Sequence, residues 1–209
     1  MSQLNFSKVA QGSSLNFAKD LSVDISSSNL VINIDWGKLD GRSVDLDSCL
    51  ALVSAGSAKP GLLGRMFGGS SDPKAFVHCF DKSCGANDGV YHHGDDTTGS
   101  WAGGEFIEVD MSKLGSDIAA IIPSVLSYSN TDMSRLPFAH MKVYIGTKAK
   151  VEKPLFEVDL TGMNSSVRGA QFGKLVKNSD GEWVWTTDVK YTSTSGSSGF
   201  TKLKQLAVA

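Results

Sequence analysis

Short apolar alternations recur along this chain, and turn residues separate them. They run through Leu15 and Phe17, Leu30-Ile32-Ile34, Phe76-Val77 with Phe80, Ile107 and Val109, Met141-Val143-Ile145, Leu155 to Leu160, and Trp183 with Trp185. Between them lie Ser27-Ser28-Asn29, Lys38 to Gly41, Asn87-Asp88-Gly89, Gly103-Gly104 and Asn178-Ser179-Asp180-Gly181. A period of two sends successive side chains to opposite faces of a strand, so each run has one face to bury. Short strands with such turns predict an all-β fold, an antiparallel two-sheet β-sandwich. Long amphipathic crossovers are missing, which argues against a parallel α/β sheet. Pro123 limits any helix entered from Ser116-Asp117, so Ile121 to Leu126 reads as a strand with Pro123 at an edge or a bulge. Helical spacing emerges only near the end, where Phe200, Leu203 and Ala207 share a face, predicting a short C-terminal helix docked on the sandwich.

A length of 209 residues suits one domain spanning 1–209, with enough chain to bury a core unaided. A net charge of −2 gives no electrostatic case for nucleic acid or an acidic membrane. No apolar run reaches the about 18 residues of a membrane span. The first residues lack the basic and apolar regions of a signal peptide, and three cysteines do not suggest a disulfide framework. A cytoplasmic location is the expectation. Residues 54–73 are rich in Ser, Gly and Pro around Leu62-Leu63-Gly64-Arg65-Met66-Phe67. They read as a flexible insertion, or as a loop that docks a protein partner.

Acids cluster in two places. Val44-Asp45-Leu46-Asp47 alternates apolar and acidic residues, which would put Asp45 and Asp47 on one side of a strand. His93-Gly94-Asp95-Asp96-Thr97-Thr98-Gly99 sets adjacent carboxylates and hydroxyls between glycines, ahead of Glu105. One reading is a solvated turn, since Asp, Thr and Gly dominate turns. The other is an oxygen cage for a hard cation, which needs about six to eight oxygens when the cation is calcium. On that reading Asp45, Asp47, Asp95, Asp96 and Glu105 are the candidate ligands, with a Thr97 or Thr98 carbonyl. Asp81 is a further acid, expected in a turn.

The order of these pieces resembles the tellurium-resistance TerD family of calcium-binding bacterial stress proteins. Gly12 to Phe17 resembles its opening strand, Ile34-Asp35-Trp36 its next, and Asp45-Leu46-Asp47-Ser48 its Asp-Leu-Asp-Ala/Ser motif. The loop 93–99 resembles its Gly-Asp-Asn/Asp-x-Thr-Gly motif, and Ile107 to Leu114 the strand after it. Phe156 to Leu160 and Gly181-Glu182-Trp183 resemble its closing pattern. The resemblance implies a non-enzymatic, calcium-binding stress or tellurite-resistance protein acting as a scaffold or interaction module. The family's loop continues after Thr-Gly with several Asp residues. Here Ser100 to Glu105 keeps only Glu105 as an acid, so one weakened calcium site is expected rather than two.

Other chemistries find less support. His78, Cys79, Cys84, His92 and His93 lack the paired spacing of a zinc site. The sequence carries no nucleophile elbow, Walker loop, dinucleotide turn or zincin motif, so catalysis is not expected. A metal-dependent hydrolase is the remotest reading. A carbohydrate- or peptide-binding module using Trp101 is the alternative to the calcium-binding one. Trp183 and Trp185, two apart, are expected in the core or at its rim.

Overall fold

The computed structural model describes residues 7–8, 12–55, 72–81, 89–99, 104–161 and 166–209. Two sheets face each other. The first is built from β1 (Ser7–Lys8), β3 (Asn29–Trp36), β6 (Val90–His92), β7 (Glu105–Asp110), β9 (Ala139–Thr147) and β10 (Lys150–Asp159), in the order β1-β10-β9-β3-β7-β6. The second holds β2 (Ser14–Asn16), β4 (Leu46–Ser54), β5 (Ala75–Val77), β8 (Ile118–Ser127), β11 (Gly169–Gln171), β12 (Lys174–Lys177), β13 (Trp183–Thr186) and β14 (Lys190–Thr192). Its order is β14-β11-β8-β12-β13-β2, with β4 pairing β8 and β5. The pairings are antiparallel except the short parallel contact of β1 with β10. The antiparallel two-sheet sandwich expected from the alternations is therefore the fold.

The alternating residues supply the core between the sheets. Leu30, Ile32 and Ile34 of β3 meet Leu46, Leu50 and Leu52 of β4 in one buried cluster. Trp183 and Trp185 belong to it, and Trp185 packs 4.7 Å from Phe156, centroid to centroid. No helix among the described residues is long and apolar enough to cross a membrane.

Two local readings are corrected. Pro123 sits at neither an edge nor a bulge, because β8 lies inside its sheet with β4 on one flank and β11 and β12 on the other. The Pro123 carbonyl accepts from Phe172 N–H at 3.4 Å, so its ring nitrogen also faces that flank, at the break between β11 and β12. The missing donor falls where the ladder is already interrupted. Second, Phe17 is not in the opening strand. It starts a one-turn helix, α1 (Phe17–Leu21), because the Asn16 side chain accepts from Lys19 N–H and caps it. As read, Ile121 to Leu126 is strand: the chain turns at Ser116-Asp117 and enters β8 at Ile118. The insertion read at 54–73 lies largely outside the described residues.

The terminal helix, α2 (Gly196–Ala207), buries Phe200, Leu203 and Ala207. It covers the outer face of the second sheet, where Phe200 and Leu203 pack with Cys49 and Leu126. The buried Gln171 amide donates to the Leu203 carbonyl at 3.1 Å and fixes the docking. Leu203 is fully enclosed, so Leu203→Ala should cost about 3 kcal/mol, read as a lower urea midpoint. Lys202→Ala, on the exposed face, should leave that midpoint within about 0.5 kcal/mol of the parent.

Candidate metal centre

Strand β4 enters its sheet with Val44 and Leu46 buried in the core. Alternation then turns Asp45 and Asp47 to the other side. Asp45 is anchored by its backbone: its carbonyl accepts from Tyr128 N–H at 3.0 Å, and its N–H donates to Ser129 Oγ at 3.3 Å. The loop after β6 brings Asp95 to the same place. One carboxylate oxygen from each of Asp45, Asp47 and Asp95 lies within 4.8 Å of the others, the one such group of metal-type ligands among the described residues. Two oxygens bound to calcium at about 2.3–2.6 Å stand at most about 5 Å apart, so one ion can bridge all three.

The loop is held by the Asx-turn of Asp96. Its Oδ1 accepts from Thr98 N–H at 2.9 Å, Thr98 Oγ1–H at 2.7 Å and Gly99 N–H at 3.3 Å. Gly99 has φ +65°, and any Cβ there would strike the Trp36 indole. Trp36 in turn donates from Nε1 to the Val44 carbonyl at 2.8 Å, one residue before Asp45. The glycine thus lets the acidic loop close on the tryptophan that braces the acidic strand.

Glu105 takes another role. Its Oε2 accepts from Ser48 N–H at 2.6 Å and Ser48 Oγ–H at 2.8 Å, and its Oε1 accepts from Asp96 N–H at 3.1 Å. Those bonds use the carboxylate to orient the loop and β4, and Glu105 lies outside the trio. His92 joins this network. Its Nδ1 accepts from Gly94 N–H at 3.1 Å, so the ring proton sits on Nε2, 2.9 Å from Ser48 Oγ. His92, the first of two adjacent histidines, carries no sequence signal for such a contact.

The acids themselves are incompletely satisfied. Asp47 Oδ1 accepts from the Cys79 thiol at 2.8 Å. The buried oxygens Asp45 Oδ1, Asp47 Oδ2 and Asp96 Oδ2 have no hydrogen-bond partner among the described residues. Burial, then the neighbouring Asp95, Glu105 and Asp96 charges, raise the Asp45 carboxyl to about 6. Burial raises Asp47 to about 7, against the opposing Cys79 hydrogen bond and with Glu105, Asp45 and Asp95 adding to the rise. The same surroundings push the Cys79 thiol far up, through burial and then Asp47, so it stays protonated and donates.

Of the residues weighed for zinc, Cys79 engages Asp47 while His92 engages Ser48. His93 pairs instead with Glu108 at 3.0 Å. His78 and Asp81 close a tight turn through paired backbone bonds of 3.0 and 2.9 Å, which makes Asp81 a turn acid. Trp101 and Cys84 lie outside the described residues.

No family profile matches this chain, and no curated protein does. Solved structures share its fold. A crystal structure of the protein of unknown function SAV2460 superposes with TM-score 0.63 at 16% identity, covering 83% of this chain and 94% of that one. A crystal structure of a homologue of telluride resistance protein (TerD), SCO6318 from Streptomyces coelicolor A3(2), superposes with TM-score 0.60 at 16% identity, covering 80% and 92%. The fold is TerD-like.

Both raised carboxyls favour the protonated folded state. Below the unfolded value near 3.9 they are protonated in both states, and their stabilising effect is fully present. It is lost as pH rises through about 6 for Asp45 and about 7 for Asp47. With a chelator present, the melting temperature should therefore fall between pH 5 and pH 7.5. Asp45→Asn should flatten that fall and melt higher than the parent at pH 7.5.

Proposed function

We propose that this chain is a non-enzymatic calcium-binding protein of the tellurite-resistance and stress type, working in the cytoplasm as a scaffold or interaction module. The observation that carries the reading is the trio Asp45, Asp47 and Asp95, with carboxylate oxygens within 4.8 Å of one another and buried oxygens on Asp45 and Asp47 that find no partner among the described residues. An unpaired buried carboxylate is costly, and a divalent cation relieves both the desolvation and the mutual repulsion. An all-oxygen set favours a hard ion over zinc. Calcium tolerates irregular geometry at longer bonds, whereas magnesium demands a tighter octahedron. Asp95 is exposed, so water and partner groups can complete the shell. The tellurite and stress association rests on the motif order and on the likeness to the TerD homologue.

The non-enzymatic part rests on the one Ser–His contact at the site. Ser48 and His92 are buried, at 1% and 0% exposure, out of reach of a substrate. Ser48 donates to Glu105, and the same carboxylate lies 3.4 Å from His92 Nε2, on the serine side of the ring, while Nδ1 takes a backbone N–H. A nucleophile–base–acid relay needs the opposite arrangement.

Calcium binding to the folded state alone adds RT ln(1 + [L]/Kd), about 2.7 kcal/mol at a hundredfold excess over Kd. Millimolar calcium should raise the melting temperature by a few degrees, magnesium less. Asp95→Ala should abolish the rise while the calcium-free protein melts no lower than the parent. No shift and no binding heat with millimolar calcium would sink the proposal.

A further inference from the structure

Helix α2 covers only part of the outer face of the second sheet. Beyond its last turn lies a groove of about 310 Å³. Val53 of β4, Ala120 and Ile122 of β8, and Val176 of β12 form its floor, and Ala207 of α2 its wall. The small side chains Ala119, Ala120 and Ala207 line it, where larger aliphatic ones would narrow the gap. Its size is at the small end of the range for ligand sites.

Its lining includes Lys174, Lys177 and Lys190 against one acidic side chain, Asp188. In a chain of net charge −2 this reverses the overall sign. Lys190 Nζ lies 3.5 Å from the Leu206 carbonyl oxygen and 3.4 Å from the main-chain oxygen of Ala209, just past α2. Lys177 sits over the Trp183 ring, 5.0 Å from its centroid. Lys174 is exposed and makes no ion pair among the described residues. An apolar floor with a cationic rim suits one kind of occupant, a small molecule with an aliphatic body and an anionic head.

We infer that this groove binds a medium-chain aliphatic carboxylate, its chain on the Val53–Ile122–Val176 floor and its head at the Lys174 side of the rim. None of the acids of the metal centre lines the groove, so the inference stands apart from the calcium reading.

Calorimetric titration of decanoate into the full chain tests it, with decyltrimethylammonium as the charge-reversed control. Decanoate should saturate with one molecule per chain, and the cationic amphiphile should not. Lys174→Glu, a surface change, should weaken decanoate about tenfold, which corresponds to about 1.4 kcal/mol. Ala207→Leu should fill the groove and abolish binding. Equal binding of the two amphiphiles, or an unchanged affinity in Lys174→Glu, would overturn the inference. So would undiminished binding by Ala207→Leu. If Ala207→Leu does not fold, the Lys174→Glu result decides alone.

Discussion

The Glu105 carboxylate ties the two sheets together where they meet the acidic loop. Glu105 opens β7 in the first sheet, and Ser48, which gives it two hydrogen bonds, lies on β4 in the second. A third bond comes from Asp96 N–H in the loop. A buried carboxylate is tolerated when donors surround it, and here the donors come from both layers of the sandwich. The position of Asp47 relative to Asp95 therefore depends on one carboxylate that bonds both the strand and the loop.

The contrast with its neighbours gives the site its character. Glu105 is supplied with donors on both oxygens, whereas Asp45, Asp47 and Asp96 each keep a buried oxygen without one among the described residues. Proteins rarely leave several such atoms together. Protonation offers partial relief, which is why Asp45 and Asp47 hold their protons to about 6 and about 7. A divalent cation would offer more, and metal binding would then compete with those protons. The Cys79 thiol, kept protonated beside Asp47, lends one donor without adding charge.

The fold is shared with solved structures at 16% identity. Such a sequence distance is compatible with a common sandwich because a core accepts many apolar combinations that keep volume and alternation. What surrounds that core is free to differ. Helix α2 and the lysine-rimmed groove beside it sit on the outer face of the second sheet, away from the layer where Trp36, Phe156 and Trp185 pack.

The sequence by itself determined the strands, because a period of two is a local property of neighbouring residues. Leu30-Ile32-Ile34 and Trp183 with Trp185 point inward as their spacing requires, and the apolar face of Phe200, Leu203 and Ala207 makes a docked helix. The shared side of Asp45 and Asp47 was legible for the same reason. Only the tertiary structure decided what crosses between elements. It set Pro123 inside a sheet at a gap between two other strands, made Glu105 a brace, and brought Ser48, His92 and Cys79 to the acids. Those contacts join residues 32 to 57 positions apart, such as Asp47 with Cys79 and Ser48 with Glu105. Local periodicity says which way a side chain points, but the register between distant strands says what it meets.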